Sequence, residues 1–350
     1  MGMNFKSNII DNYKGENIIE YEFENENGIK VGVLNLGGII TKIMTPDKEG
    51  NYENIVLSYN NIEDYFENDC YYGATVGRTA GRIYNGIVTI EGKEYKLNNN
   101  YVVNQCHGGN IGFDKKIWTV KPIIEKDKVG VTLYYLSKRM EENYPGNLRC
   151  EVSYTLNNED ELEFLAVANT DETTLVNITN HSYFNLSGNY KDDILDNELQ
   201  MNAENILEIE ETGAVTGKIL PVYENKAFDF TKRKTIKEHI NAEHKQIKLG
   251  NGYDHPFVFR ENEDGLISLN DKKSGRGMDI ETNNEAVVIY TMNYPNDKAL
   301  KGNIKPRQRL GVCFETQAPP IGINQCFLEK SILKPDETYS KYTKYKFYLI

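Results

Sequence analysis

Two stretches of this chain carry residues suited to acid–base chemistry. VNITNHSYFNLS, residues 176–187, sets a histidine in the middle of a polar run. LGVCFETQAPPIGIN, residues 310–324, sets a glutamate at the end of an apolar one. Side chains alternate between the two faces of a strand. Asn177, Thr179, His181, Tyr183 and Asn185 are therefore expected on one face, and Ile178, Asn180, Ser182, Phe184 and Leu186 on the other. Such a strand either presents a solvated face with an incidental histidine or floors a polar pocket. In the second stretch Gly311, Cys313, Glu315 and Gln317 share a face. A carboxylate beside an apolar run is either held in a salt bridge or has its pKa raised by burial. A raised pKa suits a general base working near neutrality.

Three further segments hold polar residues in constrained surroundings. In GATVGRTAGRI (73–83), glycines surround Arg78 and Arg82, and their freedom to turn sharply would aim an arginine inward. In NQCHGGNIGFDKKIW (104–118), His107 precedes a glycine pair, as in a loop at a cavity rim. In NGYDHPFVF (251–259), Asp254 and His255 stand just before a strand start set by Pro256. The alternatives are a surface arginine, a turn histidine and an aspartate capping its own backbone. HGGNIGF lacks the strand–helix setting of a phosphate cradle. The histidines show no metal-ligand spacing, so neither a metal nor a cofactor is expected. His239 and His244 fall in a lysine-rich helical stretch and are expected to be exposed.

The elements that must position these residues read mainly as strands. KVGVLNLGGIITKIMTPD, IVTIEGKEYKL, VGVTLYYLS, AVVIYTMN and YTKYKFYLI alternate or are rich in β-branched residues, with Asn, Asp and Gly clusters between them. LRCEVSYTL and ELEFLAVAN flank NNED and predict a long hairpin. Short helices are expected near 61–66 and near 231–240, the latter capped by Asp229 or Thr231. The pattern predicts an all-β fold, an antiparallel sandwich or barrel with a few short helices. One domain over 1–350 is expected, with 1–27 as an N-terminal strand or lead-in.

The chain has 350 residues, a net charge of −12 and a pI near 5.1. Such a balance repels phosphate backbones, so neither nucleic acid nor an anionic membrane is an expected partner. No stretch approaches the ~20 apolar residues of a membrane span. Five scattered cysteines, odd in number and never in CxxC spacing, suggest reduced thiols and a cytoplasmic protein.

GATVGRTAGRI, HGGNIGFDKKIW, TNHSYFNLSG, NGYDHPFVF and ETQAPPIGIN, in that order, resemble the aldose 1-epimerase (galactose mutarotase) family. The resemblance runs from about residue 28 to the C-terminus. It implies a large antiparallel β-sandwich, the galactose mutarotase-like supersandwich, with a sugar cleft on a concave sheet. It implies Glu315 as catalytic base and His181 as catalytic acid, with Arg78, His107 and Asp254 binding the sugar. The implied partner is a free aldose such as galactose or glucose, bound by a monomer or homodimer. The sequence departs from the family pattern at Cys106, Gly81, Ile321 and Gly322. Cys106 directly precedes His107, and Gly81 and Ile321 bear on which sugar fits. A hexose-6-phosphate 1-epimerase and a non-catalytic sugar-binding protein are the competing expectations.

Overall fold

The alternation in LRCEVSYTL and ELEFLAVAN produces the expected hairpin, Leu148–Asn157 against Glu161–Thr170, with Leu148 opposite Thr170 and Leu156 opposite Leu162. A computed structural model describes residues 2–350 and extends this hairpin into a nine-stranded sheet. The order across it is Thr119–Ile124, Lys128–Ser137, Leu148–Asn157, Glu161–Thr170, Tyr339–Leu349, Arg276–Thr282, Gly265–Asp271, Glu198–Met201 and Lys234–Thr235. A six-stranded sheet runs Tyr183–Phe184, Val312–Gln317, Ala286–Tyr290, Asp254–Phe259, Ala203–Ile209 and Val215–Pro221. A five-stranded sheet takes the N-terminal strands from Asn4–Tyr13 to Tyr52–Asn54. The lead-in is thus a full hairpin, Asn4–Tyr13 against Glu16–Glu24.

The six- and nine-stranded sheets pack face to face, as expected for a sandwich. Phe257, Val287, Ile289, Val312 and Phe314 point from the smaller sheet into an apolar core shared with Tyr154, Phe164, Ile280, Tyr345 and Phe347 of the larger. The Phe184 and Tyr345 rings lie 5.3 Å apart, and the Thr316 and Thr343 hydroxyls hydrogen-bond across the interface. Because alternate residues face opposite ways, this core fixes the outward direction of Cys313, Glu315, Val288 and Tyr290.

The 176–187 stretch is not one strand. Thr179–Asn180 pairs with Thr75–Val76, and Tyr183–Phe184 pairs with Cys313 and Val312. Its asparagines tie backbone together. The Asn177 amide donates to the Ala318 carbonyl at 3.0 Å and accepts the Ala318 N–H at 2.9 Å. Asn185 donates to the carbonyls of Asp192 and Leu310, and Asn180 donates to the Gly73 carbonyl and the Tyr154 hydroxyl. Nothing here is a solvated face, since Asn177 to Ser187 are all buried.

The short helix expected near 231–240 is reduced to the 3-10 turn Ile236–Glu238. Lys234–Thr235 adds a short edge strand beside Leu199 and Glu198. The N–H groups of Ile236 and Lys237 go to the carbonyls of Asn197 and Leu195, so the sheet edge takes the donors a helix would use. Asp229 accepts the Thr231 N–H in a local turn. The α-helix of this region is Lys245–Gly250, and His244 caps it by accepting the Gln246 N–H. His239 and His244 are therefore half-buried rather than exposed. The expected turn near 61–66 is present as the 3-10 helix Ile62–Phe66. Among the described residues no helix is long and apolar enough to cross a membrane.

Asn177→Ala removes both Asn177 bonds to the segment after the Glu315 strand and leaves the buried Ala318 N–H unpaired, while the Ala318 carbonyl keeps the Gln317 amide as donor. It is expected to destabilise the protein by about 2–4 kcal/mol, read as a lower urea midpoint with an unchanged slope.

Candidate active site

The outward face of the six-stranded sheet carries two cross-strand rows. Tyr183 pairs with Cys313, Cys313 with Tyr290, and Tyr290 with Asp254. Two residues along the Val312–Gln317 strand, Glu315 pairs with Val288, and Val288 with Pro256. Continuing the register of the Tyr183 strand brings His181 opposite Glu315. The rows are thus Tyr183–Cys313–Tyr290–Asp254 and His181–Glu315–Val288–Pro256, with strands about 4.8 Å apart. They floor a cleft of about 470 Å³ that His107, Arg82, Tyr71 and Tyr101 overhang.

At its centre the His181 Nε2 lies 3.4 Å from Glu315 Oε1, with His181 4% and Glu315 3% exposed. Oε2 lies 3.9 Å from His107 Nδ1 and has no hydrogen-bond partner. Burial, followed by the negative charge of Asp254, pushes the Glu315 carboxyl up to about 8. Burial pushes the His181 imidazole down to about 4 and holds His107 well below the usual histidine range. Between those limits the Glu315–His181 pair holds one proton, which rests on the carboxyl in the sugar-free cleft. The reference values of the two side chains, which favour carboxylate and imidazolium together near neutrality, do not apply to this buried couple.

The imidazoles are held by their neighbours. The His181 ring stacks against Tyr71 at 5.7 Å, lies 5.1 Å from Tyr183, and has Cys313 Sγ 3.6 Å from its Nδ1. Tyr183 in turn donates its hydroxyl to the Cys70 carbonyl. The Gly81 N–H donates to His107 Nδ1 at 3.4 Å, leaving Nε2 to carry the ring proton. His107 sits at φ 50°, and Gly108 after it at φ 89°. A Cβ on Gly108 would stand 1.9 Å from the Gly77 carbonyl oxygen, so only glycine lets the loop pack there.

His181, Glu315, His107 and Asp254 come together as expected, and Arg78 does not join them. Its guanidinium is 2% exposed and turned away from the cleft. It donates to Ser137 Oγ, Thr174 Oγ1 and the carbonyls of Ser137, Lys138, Pro145 and Gly146. This corrects the expectation that Arg78 contacts a sugar: all its donors are spent on the fold. The arginine of the cleft is Arg82. It pairs with Asp254 Oδ2 at 3.1 Å, lies over the Tyr101 ring at 4.9 Å, and keeps a buried Nε without a partner. Spacing alone does not separate two arginines four residues apart. The usable signal was pairing, because Arg82 lies in register with Cys106, next to His107.

Tyr71, Tyr101, Asn110, Lys115 and Tyr294 also line the cleft and carried no signal in the sequence. Among the aromatics of the site segments, Tyr183 lines the cleft, whereas Phe184, Phe314 and Trp118 are core. His255 is buried beneath, 4.9 Å from the Phe228 ring, and Cys106 lines the cleft wall. One ligand atom each from His107, His181 and Glu315 lies within 4.8 Å of the others, a donor set that could also hold a cation. A larger cavity of about 730 Å³ between the N-terminal hairpin and Lys301–Ile304 is lined by the Glu20–Lys42 ion pair and by no histidine.

The family described as aldose 1-epimerase matches residues 20–346 of this chain. The galactose mutarotase of Rattus norvegicus is 36% identical over 323 residues, 91% of each chain. The aldose 1-epimerase of Streptococcus thermophilus is 30% identical over 331 residues, 92% of each. The crystal structure of galactose 1-epimerase from Lactobacillus acidophilus NCFM superposes with a TM-score of 0.89 at 33% identity, covering 99% of both chains.

The two arginines are separable by stability alone. Arg78→Lys strands several buried carbonyls and is expected to cost about 3 kcal/mol or more. Arg82→Lys, at a partly open ion pair, is expected to shift the unfolding midpoint by less than about 1 kcal/mol equivalent. Urea melts of both variants beside wild type check this.

Proposed function

The chain belongs to the aldose 1-epimerase family and interconverts the α- and β-anomers of aldoses; we propose that free galactose and glucose are its substrates, opened and reclosed by Glu315 and His181. The observation that carries this reading is the 3.4 Å contact between His181 Nε2 and Glu315 Oε1, with Glu315 Oε2 buried and unpartnered. A buried carboxylate oxygen without a donor is costly, and a sugar hydroxyl is the donor it lacks.

Anomer exchange needs the C1 hydroxyl deprotonated and the ring oxygen protonated. The ring then opens to the aldehyde, C1–C2 rotates, and closure on the other carbonyl face reverses both transfers. Glu315 takes the O1 proton and His181 supplies one to the ring oxygen. Sugar hydroxyls donating to the carboxylate favour its charged form, which moves the shared proton across the 3.4 Å contact to His181. The carboxylate and imidazolium thus form when substrate is in place. His107 Nε2–H donates to a nearby hydroxyl, and the Arg82–Asp254 pair holds hydroxyls further round the ring.

An unphosphorylated sugar is favoured by the charges of the cleft. Its cations, Arg82 and Lys115, are already paired, with Asp254 and with Asp114. A phosphate would have to compete with both carboxylates and with Glu315. The intact Glu315–His181 couple argues against a non-catalytic binder, and five free cysteines support a reducing, cytoplasmic setting.

Each positioned acid or base contributes ~10²–10⁴ in rate. Glu315→Gln and His181→Asn are each expected to lower turnover of α-D-galactose at least ~10²-fold, with unfolding midpoints retained. Polarimetry above the spontaneous rate tests this, and full activity in either variant removes that residue from the mechanism. The one-proton couple also sets the pH profile. Activity should fall above about 8, where Glu315 loses the proton, and below about 4, where His181 gains a second. A kcat/KM profile with a single limb near pH 6.5 would contradict it.

A further inference from the structure

We propose that the enzyme reads the C2 side of its sugar by shape alone, because the sheet presents only the apolar side chains of Val288 and Pro256 there. The inference rests on the proposed placement of O1 at Glu315 and the ring oxygen at His181. The register supplies the rest. His181, Glu315, Val288 and Pro256 follow one another across adjacent strands in a single row. In a pyranose, C1 bonds both the ring oxygen and C2, which leave it on opposite sides. With the ring oxygen toward His181, C2 and its hydroxyl fall on the Val288 side of Glu315.

The row itself carries no hydrogen-bonding side chain beyond Glu315, and the polar groups nearest to it in the cleft are Asp254 and Arg82. Val288 is 7% exposed and Pro256 is buried, and both line the cleft. Ile209 and Val215, paired with each other on the next two strands, line the cleft further along, in line with Asp254. Neither a valine side chain nor a proline ring carries a donor or acceptor. The polar residue nearest in register is Asp254. It belongs to the neighbouring row, opposite Tyr290, and is engaged with Arg82. The outer side of the C2 hydroxyl thus meets methyl groups, while the hydroxyls further round the ring meet the ion pair.

This placement has a measurable consequence. A site that hydrogen-bonds a hydroxyl rejects the analogue lacking it by ~10⁴–10⁵ in kcat/KM, because its own polar groups are left unpaired. An apolar wall imposes only the ~10–200-fold cost of imperfect filling. D-galactose and 2-deoxy-D-galactose are compared by polarimetry, each above its own spontaneous rate, with wild type and Val288→Gln. For wild type, kcat/KM for the two sugars is expected to agree within ~10²-fold. Val288→Gln places an amide beside C2 and is expected to raise the galactose preference at least ~10-fold.

A wild-type loss on 2-deoxygalactose beyond ~10²-fold overturns the inference and assigns the C2 hydroxyl to Asp254 or Arg82. An unchanged preference in Val288→Gln, folded and active on galactose, overturns it as well. If galactose itself is not turned over, the acid–base placement fails first and the C2 assignment with it. Galactose turned over with 2-deoxygalactose silent defeats the C2 assignment alone.

Discussion

A carboxyl group buried beside a neutral imidazole, with one of its two oxygens unpartnered, is the constraint around which the site is built. In water these groups would hold opposite charges near neutrality. Burial drives each toward its neutral form, and the proton they share is left on the carboxyl. Such a couple suits a reaction whose forward and reverse halves are the same chemistry. Ring opening and ring closure differ only in which group gives and which takes. A pair that can pass one proton across 3.4 Å once the sugar is bound serves both halves.

Holding that pair together is the work of the sheet behind it. Inward, Phe314, Val312, Ile289 and Val287 lock the six-stranded sheet onto the nine-stranded one. Outward, the same strands present Glu315, Cys313, Tyr290 and Val288. A shift of one residue in the register of Val312–Gln317 would bury Glu315 in the core and expose Phe314. Packing of apolar side chains on one face therefore fixes the chemistry of the other. This explains why the whole Val312–Gln317 strand is buried although only one of its faces is core.

Strand alternation made the sandwich, the long hairpin and the shared faces of Glu315 and Cys313 legible in the sequence. The polar run around His181 marked the right place for a different reason than alternation suggested. Its asparagines satisfy backbone of neighbouring loops, and only His181 and Tyr183 reach the cleft. The helix expected near 231–240 shrank to the 3-10 turn Ile236–Glu238 because local propensity says nothing of a sheet edge awaiting a partner, and Lys234–Thr235 supplies it. Tyr71, Tyr101 and Lys115 were illegible because loops separated by tens of residues bring them to the cleft. Local sequence carries no record of such meetings.

The exchange of roles between Arg78 and Arg82 shows what the glycines of GATVGRTAGRI accomplish. Their function is close backbone approach between two loops rather than aim. A Cβ on Gly77 would meet the Phe113 ring at 2.4 Å, and one on Gly108 the Gly77 carbonyl at 1.9 Å. The loops therefore interlock at the main chain. Arg78, next to this contact, is drawn under it and bonds the carbonyls of Lys138, Pro145 and Gly146, tying down a third segment. One turn onward Gly81 donates its N–H to His107 and leaves space beside Pro320, and the chain emerges at Arg82 on the cleft side. A buried arginine whose donors all end on backbone acts as a fastener, and the loop it fastens carries His107 at a left-handed φ of 50°. That conformation is costly for a residue with a Cβ, and the interlocked glycines hold His107 to it, with its Nδ1 turned toward Glu315.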